Sequence, residues 1–427
     1  MDIINRRTWM RSALVAGTVI AVAGSAATAQ EQTTLNLLSA QRDTVIQPMI
    51  AGFEKAYPNI KVIHESVPFN DLNAATESRI GQGDTSVDVL HADTPRIPAF
   101  ASKGYLLNLD DRRDVIEAAV PNAVDIEQVS YDGSLYAYPL WTSTQLLYFN
   151  RKLLEDAGLE LPSANPENRL TWEQLLEMAS TVQQHGVKFG LTFQQVDRYY
   201  QLQFLFESAG AGSGLSGDDM LTPAVTNEGW IQTAEWYGDL YASGLAPRGV
   251  TPEQTDDLFI NGDVAFMIAG PWAIARYDAN PGLDYGVAPV PYFAAGKPAT
   301  PTGSWSIAIN PSSENLEAAR LFAEYVTLNP EGAYLSIAGN PNTLVNVEAY
   351  KKYAADMDAM TPKIGSVIDI IGYETKNTAV GRPRSVGFVT FETIMNRTFS
   401  DIRNGTDAKA ALEGAERQLV RALGRVT

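Results

Sequence analysis

The sequence predicts an α/β protein of two lobes, with the chain crossing between them more than once. Strand-like and helix-like segments alternate from Thr34 onward, and the same alternation starts again after Asn150. No long linker separates these two blocks, and the chain contains neither a tandem repeat nor a low-complexity tract. Because loops at the strand ends of two α/β lobes converge between them, we expect a ligand site in that cleft.

The composition is that of a globular and acidic protein. The 427 residues are 45% hydrophobic and 19% charged, and the length suffices for two or three domains. Lys and Arg number 32 against 50 Asp and Glu, and the resulting formal charge of −18 would repel a nucleic acid. The absence of cysteine excludes disulfides, thiolate zinc sites, cysteine nucleophiles and lipid attachment through cysteine.

Residues 1–29 have the three parts of a secretory signal peptide. Arginines, including the pair Arg6-Arg7, precede the apolar stretch 13–23, and Ala27-Thr28-Ala29 matches a small-residue cleavage site. The apolar stretch is too short to remain as a membrane anchor. We therefore expect export to the periplasm, by the general secretory or the twin-arginine route, and not as a lipoprotein.

The first block predicts a βαβαβ order. The expected elements are strand 34–38, helix 43–57, strand 61–63, helix 71–80 and strand 87–90. Asp43 or Thr44 can cap the first helix, and Pro58 ends it because the residue before a proline avoids helical geometry. This order predicts a mostly parallel sheet covered by helices.

The second block opens with a capping box. Thr171-Trp172-Glu173-Gln174 matches that motif and predicts a helix that runs through Gln184. Further strands are expected at 189–192, 264–268 and 304–309, with helices at 199–208, 228–242, 253–260, around 318–325, and from 388 to the C-terminus apart from a turn at Asn404-Gly405.

The motifs of nucleotide and metal sites lack their required context. Gly212–Gly217 matches G-x-G-x-x-G, but it follows a helix and leads into Asp218-Asp219, so a flexible loop is expected. The three histidines lie in separate segments without metal-ligand spacing, so we expect no metal site and no cofactor.

Aromatic residues beside Gly or Pro at strand ends indicate a carbohydrate site. Gly270-Pro271-Trp272 follows one expected strand, Gly303-Ser304-Trp305 opens the next, and Trp141 precedes the polar run Thr142–Gln145. An exposed indole can stack on the C–H face of a sugar ring, and hydroxyl and amide groups can bond its hydroxyls. For any single tryptophan, packing in the core is the alternative.

Four segments, in this order, resemble the family 1 extracellular solute-binding proteins of carbohydrate ABC importers. They are Asp88–Leu109, Gly133–Leu154, Ala157–Leu175 and Phe259–Trp272. The resemblance implies the type II periplasmic-binding-protein fold, with two lobes joined by hinge strands and the ligand in the cleft between them. It assigns 30–141 and about 307–362 to the N-terminal lobe, and 142–306 and about 363–427 to the C-terminal lobe.

The resemblance also implies particular residues at the ligand. Asp93 falls where the family has an acid that accepts hydrogen bonds from sugar hydroxyls, and Trp272 and Trp305 fall at stacking positions. Gly303 lets the ligand approach the backbone, and Ser304 stands where many members carry a second glycine. The other candidates lie at the first hinge crossing, in a C-terminal turn and in the loop after the first strand: Ser143, Thr144, Gln145, Arg384 or Arg382, Ser39, Gln41 and Arg42.

The function implied is that of a substrate-binding protein that captures a sugar and delivers it to the membrane permease of an ABC importer. We expect a monomer that is not an enzyme. Two alternatives stay open. One is the same fold binding a non-sugar such as a glycerol phosphodiester or a polyamine, and the other is a secreted glycan-cleaving enzyme, because some acid/base pair can always be nominated among so many carboxylates. Arg382 and Arg384 keep an acidic sugar among the candidates.

Overall fold

The computed structural model describes residues 32–338, 341–361, 363–365 and 367–425. The predicted signal peptide, 1–29, lies outside the described residues. Within the described ranges, no helix is both long and apolar enough to cross a membrane.

The strands run in both directions and differ in length. In chain order they are β1 (Thr33–Ser39), β2 (Ile60–Ser66), β3 (Val89–Asp93), β4 (Ser130–Tyr131), β5 (Ser134–Leu135), β6 (Tyr138–Thr144), β7 (Leu146–Asn150), β8 (Phe189–Phe193), β9 (Leu215–Ser216), β10 (Thr222–Pro223), β11 (Val264–Ala269), β12 (Tyr285–Pro289), β13 (Thr300–Ile309), β14 (Thr343–Leu344) and β15 (Ala379–Val380).

The helices occur between and after these strands. In chain order they are α1 (Asp43–Ala56), α2 (Leu72–Arg79), α3 (Ile97–Ser102), α4 (Arg113–Ala119), α5 (Ala123–Gln128), α6 (Arg151–Asp156), α7 (Trp172–Gln184), α8 (Tyr199–Ser208), α9 (Glu228–Ala242), α10 (Pro252–Ile260), α11 (Ile274–Asp278), α12 (Leu316–Thr327), α13 (Pro330–Leu335), α14 (Val347–Ala359), α15 (Val367–Asn377), α16 (Phe388–Arg403) and α17 (Ala408–Leu423).

Two main sheets define two lobes. The sheet of the first lobe has the order β14-β6-β13-β3-β1-β2, with β15 paired to β13, and that of the second lobe has the order β12-β7-β11-β8. Strand β1 pairs in parallel with β2 and β3, and β8 pairs in parallel with β11. In the first sheet, β13 pairs antiparallel with β3 and β6, and β6 pairs antiparallel with β14. In the second sheet, β7 pairs antiparallel with β11 and β12. The three strands of the predicted βαβαβ order are parallel, as expected, but antiparallel strands join them, so that both sheets are mixed and the first is not mostly parallel as a whole. The reason is that β7 and β13 are entered from the other lobe and β6 leads into it, so no crossover helix within one lobe connects these strands to a parallel neighbour.

Each lobe has its own hydrophobic core. One cluster of buried side chains takes its members from the segments Leu35–Trp141 and Ile307–Ile368. Two further clusters take theirs from Leu146–Ala299 and Val367–Leu423. Two cores drawn from interleaved segments mean that the chain passes between the lobes several times.

The shortest crossing is a single residue. Gln145 separates β6 of the first sheet from β7 of the second. The predicted lobe boundaries at 141/142 and 306/307 fall inside β6 and β13, both of which belong to the first sheet.

Local signals located most elements correctly. Helices α8 and α9 have the predicted bounds, and the capping box of α7 forms both of its bonds, Thr171 N to Gln174 Oε1 at 2.9 Å and Gln174 N to Thr171 Oγ1 at 3.2 Å. The predicted cap of α1 is wrong, because Arg42 occupies the N-cap position and makes no side-chain cap bond. The predicted strand 87–90 begins two residues later, at Val89.

Candidate ligand-binding cleft

A cavity of about 160 Å³ lies between the two lobes. Ligand pockets usually measure ~300–1,000 Å³, so this cavity is smaller than a typical ligand pocket. The residues that line the cavity come from both lobes and from the crossings: Gln41, Phe69, Asp93, Trp141, Ser143, Gln195, Arg198, Tyr200, Trp272, Gly303, Trp305 and Arg382.

Trp305 lies on β13 at the centre of the first sheet. Its backbone neighbours are Asp93 on β3 and Trp141 on β6. The indole stacks on the imidazole of His91, with ring centroids 4.5 Å apart and an angle of 22° between the planes. The ring of Phe69 meets the indole edge to face, with centroids 6.1 Å apart. Trp305 is only partly buried, so one part of the ring remains available to a ligand.

His91 supports that indole as a neutral ring. It is fully buried, and burial lowers its pKa to about 3, because a charged imidazolium would lose its hydration there. Its Nδ1 lies 3.5 Å from Ser39 Oγ, at the limit of a hydrogen bond.

Trp272 faces the same cavity from the second lobe. It follows β11, and its Nε1 donates to Gln194 Oε1 at 2.7 Å. Gln194 in turn donates through Nε2 to Asp256 Oδ1 at 2.8 Å, so the orientation of the indole is fixed by a buried relay. Gly270 permits this position, since a Cβ there would lie 2.0 Å from the indole.

The floor of the cavity is formed where the chain crosses between lobes. Gln145 Nε2 donates to the hydroxyl of Tyr200 at 2.9 Å, and Ser143 Oγ donates to the carbonyl of Gly303 at 3.1 Å. Burial raises the pKa of Tyr200 to about 12, so its hydroxyl stays protonated. A Cβ at Gly303 would lie 2.6 Å from that hydroxyl, which explains why this position needs a glycine.

Asp93 is engaged by two arginines. Arg382 donates Nη1 to Oδ2 at 2.7 Å and Nη2 to Oδ1 at 2.5 Å, and Arg96 donates Nη1 to Oδ2. Arg96 also donates to Glu392 on α16, which joins the first lobe to the second. Burial lowers the pKa of Arg382, but the charge and the hydrogen bonds of Asp93 and the charge of Glu392 together raise it above its usual value. Most of the acceptor capacity of Asp93 is thus used inside the protein.

Arg382 lies at the cavity and Arg384 does not. Arg384 points to a different groove, where it donates to Glu127 Oε1 at 2.7 Å and to the carbonyl of Ser130 at 2.6 Å. Burial lowers the pKa of Arg384. Of the two predicted arginines, the structure therefore brings only Arg382 to the other candidates that line the cavity.

Seven of the predicted site residues line the cavity and the rest lie beside it or away from it. The seven are Gln41, Asp93, Ser143, Trp272, Gly303, Trp305 and Arg382. Ser39, Thr144, Gln145 and Ser304 are buried next to it, and Arg42 is exposed at the start of α1. Ser304 is within 3.2 Å of Thr142 Oγ1, so its hydroxyl is held inside the sheet.

Five lining residues were not among the candidates: Phe69, Trp141, Gln195, Arg198 and Tyr200. The strand-end pattern includes Trp141, and the position of Gln195 just after β8 follows the same rule. Arg198 and Tyr200 lie at the start of α8, and no local pattern indicates that this helix end faces the other lobe.

One cavity lies between the two α/β lobes, and it is lined by indoles, amides, hydroxyls and guanidinium groups. This arrangement is that of a two-lobed ligand-binding protein. Residues 39–333 match the family model described as bacterial extracellular solute-binding protein. This match covers more than half of the chain, and the chain belongs to that family.

Comparison with individual proteins agrees with this assignment. The maltodextrin-binding protein MdxE of Bacillus subtilis (strain 168) is 24% identical over 324 residues, which cover 75% of this chain and 74% of that protein. The GacH receptor of Streptomyces glaucescens, solved unliganded and with acarbose, superposes with a TM-score of 0.78 at 23% identity over 92% of this chain and 99% of that one. An ABC substrate-binding protein of Listeria monocytogenes in complex with cycloalternan gives 0.81 at 21% identity, over 92% and 100%. The fold is that of a type II periplasmic binding protein.

Proposed function

We propose that this chain is the substrate-binding protein of an ABC importer and that it captures a sugar in the cleft between its lobes. The observation that carries the proposal is that Trp305 of the first lobe and Trp272 of the second lobe face one cavity. Both indoles are partly buried and come from different sheets, so a ligand that contacts both must hold the lobes together.

The chemistry of the lining suits a polyhydroxylated ring. Indole faces provide apolar contact for C–H groups at low cost in side-chain entropy. Gln41, Gln195, Ser143 and the hydroxyl of Tyr200 provide neutral donors and acceptors that match sugar hydroxyls. In this proposal Asp93 acts chiefly by holding Arg382 in place, since two arginines already occupy its carboxylate.

The arrangement of the lobes supports a protein that binds its sugar without a chemical reaction. A ligand that binds both lobes shifts an open–closed equilibrium toward the closed form by its difference in affinity for the two states. We propose that one lobe consists of 30–141 and about 307–362, and the other of 142–306 and about 363–427. The boundaries at 141/142 and 306/307 are shifted so that all of β6 and the Trp305 end of β13 belong to the first lobe. The hinge then includes Gln145. No bond of the sugar is broken, so the chain is not an enzyme.

The names of relatives support a carbohydrate as the cargo. They include a maltodextrin-binding protein and structures described with acarbose and with cycloalternan. The closed form would then deliver its sugar to a membrane permease. We also propose export of a monomer to the periplasm after removal of 1–29, by the general secretory or the twin-arginine route.

Calorimetry and thermal shift on the chain lacking 1–29 test this proposal. Neutral and acidic mono- and oligosaccharides are screened, with a glycerol phosphodiester and a polyamine as non-sugars, because a ligand specific for the folded state raises the melting temperature. We expect at least one saccharide to bind and to be recovered intact. Binding of a non-sugar alone, or release of cleaved glycoside at catalytic rates, rejects the proposal.

A further inference from the structure

Arg382 lines the cavity and has one unused donor. Its two terminal nitrogens are occupied by Asp93, yet its Nε is buried and has no hydrogen-bond partner among the described residues. The side chain is 3% exposed, and the ring of Tyr200 lies 4.7 Å from its guanidinium carbon. A buried donor without an acceptor is costly, and a ligand that brings an acceptor removes that cost.

The carboxylates whose charges act on Arg198, which are Glu253, Asp197 and Glu392, do not line the cavity. The ion-pair partner of Arg198 in the described part of the chain is Glu253, at 3.6 Å, and the side chain of Glu253 is 71% exposed while that of Arg198 is 12% exposed. Burial lowers the pKa of Arg198, which shows that its charge is poorly hydrated. The guanidinium carbon lies 5.1 Å from the ring centre of Phe69, which also lines the cavity.

The charges around the cavity do not cancel. Among its lining side chains, Arg198 and Arg382 are positive and Asp93 is negative. Behind them Arg96 and Glu392 form an ion pair and cancel each other. Glu253, the partner of Arg198, is 71% exposed and does not line the cavity, so the lining side chains by themselves carry one excess positive charge, although the chain as a whole has a formal charge of −18.

The backbone adds to this positive potential. Arg198 is the N-cap of the ten-residue helix α8, and Tyr200 follows in its first turn. The N-terminal end of a helix carries a partial positive charge from its free N–H groups. The guanidinium groups and the helix end thus both favour a negatively charged group on the ligand.

From these contacts we propose that the sugar captured by this chain carries a carboxylate, which binds between Arg198 and Nε of Arg382. This inference rests on the proposed function and names the class of sugar, an acidic one such as a hexuronate. A carboxylate brings one negative charge, which balances the excess positive charge of the lining side chains. A phosphate monoester brings about −1.5 to −2 near neutral pH and would leave negative charge buried. The planar carboxylate also fits the fork of a guanidinium.

The test compares matched saccharides by calorimetry on the chain lacking 1–29. The probes are mono- and disaccharides of D-glucuronate and D-galacturonate, their methyl esters, the neutral parent sugars and the corresponding sugar phosphates. We expect an acid to bind at least about tenfold more tightly than its methyl ester, because the ester keeps the shape and loses the charge. We also expect this preference to fall toward one in Arg198→Gln. Arg320→Gln, which changes an arginine paired with Asp111 on the surface, is the matched control and should keep the preference.

Each outcome decides between the two proposals. Neutral sugars or methyl esters that bind as tightly as the acids overturn the carboxylate site and leave the sugar-binding function standing. Sugar phosphates that bind best also overturn it. If no saccharide of any class binds, the proposed function fails together with this inference. Retention of the acid preference in a folded Arg198→Gln protein removes Arg198 from the site.

Discussion

Arg382 donates both terminal nitrogens of its guanidinium to the carboxylate of Asp93, at 2.7 and 2.5 Å, across 289 residues of sequence. Both side chains are almost fully buried, with 3% and 2% of their surfaces exposed. The pair connects the segment after β15 to the end of β3. It thereby fixes the wall of the cavity on which Arg382 lies.

Asp93→Asn should destabilise the protein strongly. The substitution leaves Arg382 and Arg96 buried beside a neutral amide, and loss of one partner from a buried ion pair typically costs about 3–5 kcal/mol. Denaturant unfolding measures the change. Asp111→Asn is the control, because Asp111 pairs with Arg320 at an exposed site and such pairs contribute at most about 1 kcal/mol. Equal effects of the two substitutions would contradict the role given to Asp93.

Trp305→Ala should weaken sugar binding by about 2–4 kcal/mol, the range of a central aromatic anchor. The indole presents its free part to the cavity and is supported by His91 on its other side. Calorimetry gives the dissociation constants. Trp236→Ala provides the comparison, since Trp236 packs against Trp172 in the second lobe and is absent from the cavity lining. An unchanged affinity for Trp305→Ala removes this residue from the site.

Gln194→Leu should lower affinity without unfolding the protein. The change removes the acceptor for Trp272 Nε1 and a donor to Asp256, so the indole loses its fixed orientation. One hydrogen bond contributes about 0.5–1.5 kcal/mol, and we expect a loss of that size in binding free energy. Gln183→Leu, which alters a half-buried glutamine bonded to two backbone carbonyls away from the cavity lining, should leave affinity intact. A Gln194→Leu protein with wild-type affinity would show that the relay does not position Trp272 for the ligand.

Gly303→Ala should impair ligand binding, because the new Cβ would lie 2.6 Å from the hydroxyl of Tyr200 and 3.0 Å from Ser143 Oγ. One of these side chains must then shift at the floor of the cavity. Gly372→Ala is the control on α15, where no atom lies within 4 Å of the added Cβ, and it should stabilise the helix by about 0.5–1 kcal/mol. The two variants are compared by thermal unfolding and by calorimetry with the bound sugar. Normal affinity in Gly303→Ala would mean that Tyr200 is not a fixed part of the site.

The free energy of unfolding should decrease as the pH is lowered from about 6.5 to 3, because of His91. Its folded pKa is about 3 and its unfolded pKa is 6.5, so in this window the unfolded chain binds one proton more than the folded chain. The linkage predicts that the histidine lowers the free energy of unfolding by about 2 kcal/mol between pH 7 and pH 5.

Urea unfolding of the wild type and of His91→Phe at several pH values measures this term as the difference between the two proteins. His185→Gln is the control, because His185 is exposed at the end of α7. The same pH dependence in the wild type and in His91→Phe would show that His91 does not titrate in this way.

The sequence predicted those features that depend on neighbouring residues. The capping box at Thr171 and Gln174 forms as expected, because its partners are three residues apart and their geometry is set by one helical turn. The bounds of α8 and α9 follow from hydrophobic periodicity for the same reason. The role of each predicted site residue in binding stays a prediction.

Contacts between distant segments could not be predicted in this way. Trp172 at the start of α7 is fully buried in the second core, whereas Trp305 on β13 lies at the cavity. Whether an indole is covered depends on which distant elements pack against it. Arg382 and Arg384 are separated by one residue, and their different directions are decided by Asp93 and Glu127 in the other lobe.

By itself, the sequence determined that this chain is an acidic α/β protein of two blocks without a linker, with aromatic and polar residues at strand ends. Only the tertiary structure decided that β13 pairs antiparallel with β3 and β6, that Arg382 and not Arg384 lies at the cavity, and that Arg198 and Tyr200 join the site from the start of α8. The physical reason is the distance along the chain over which each kind of interaction acts. Capping and periodicity act within a few residues, whereas the cleft is formed by groups from interleaved segments whose positions depend on the packing of both cores.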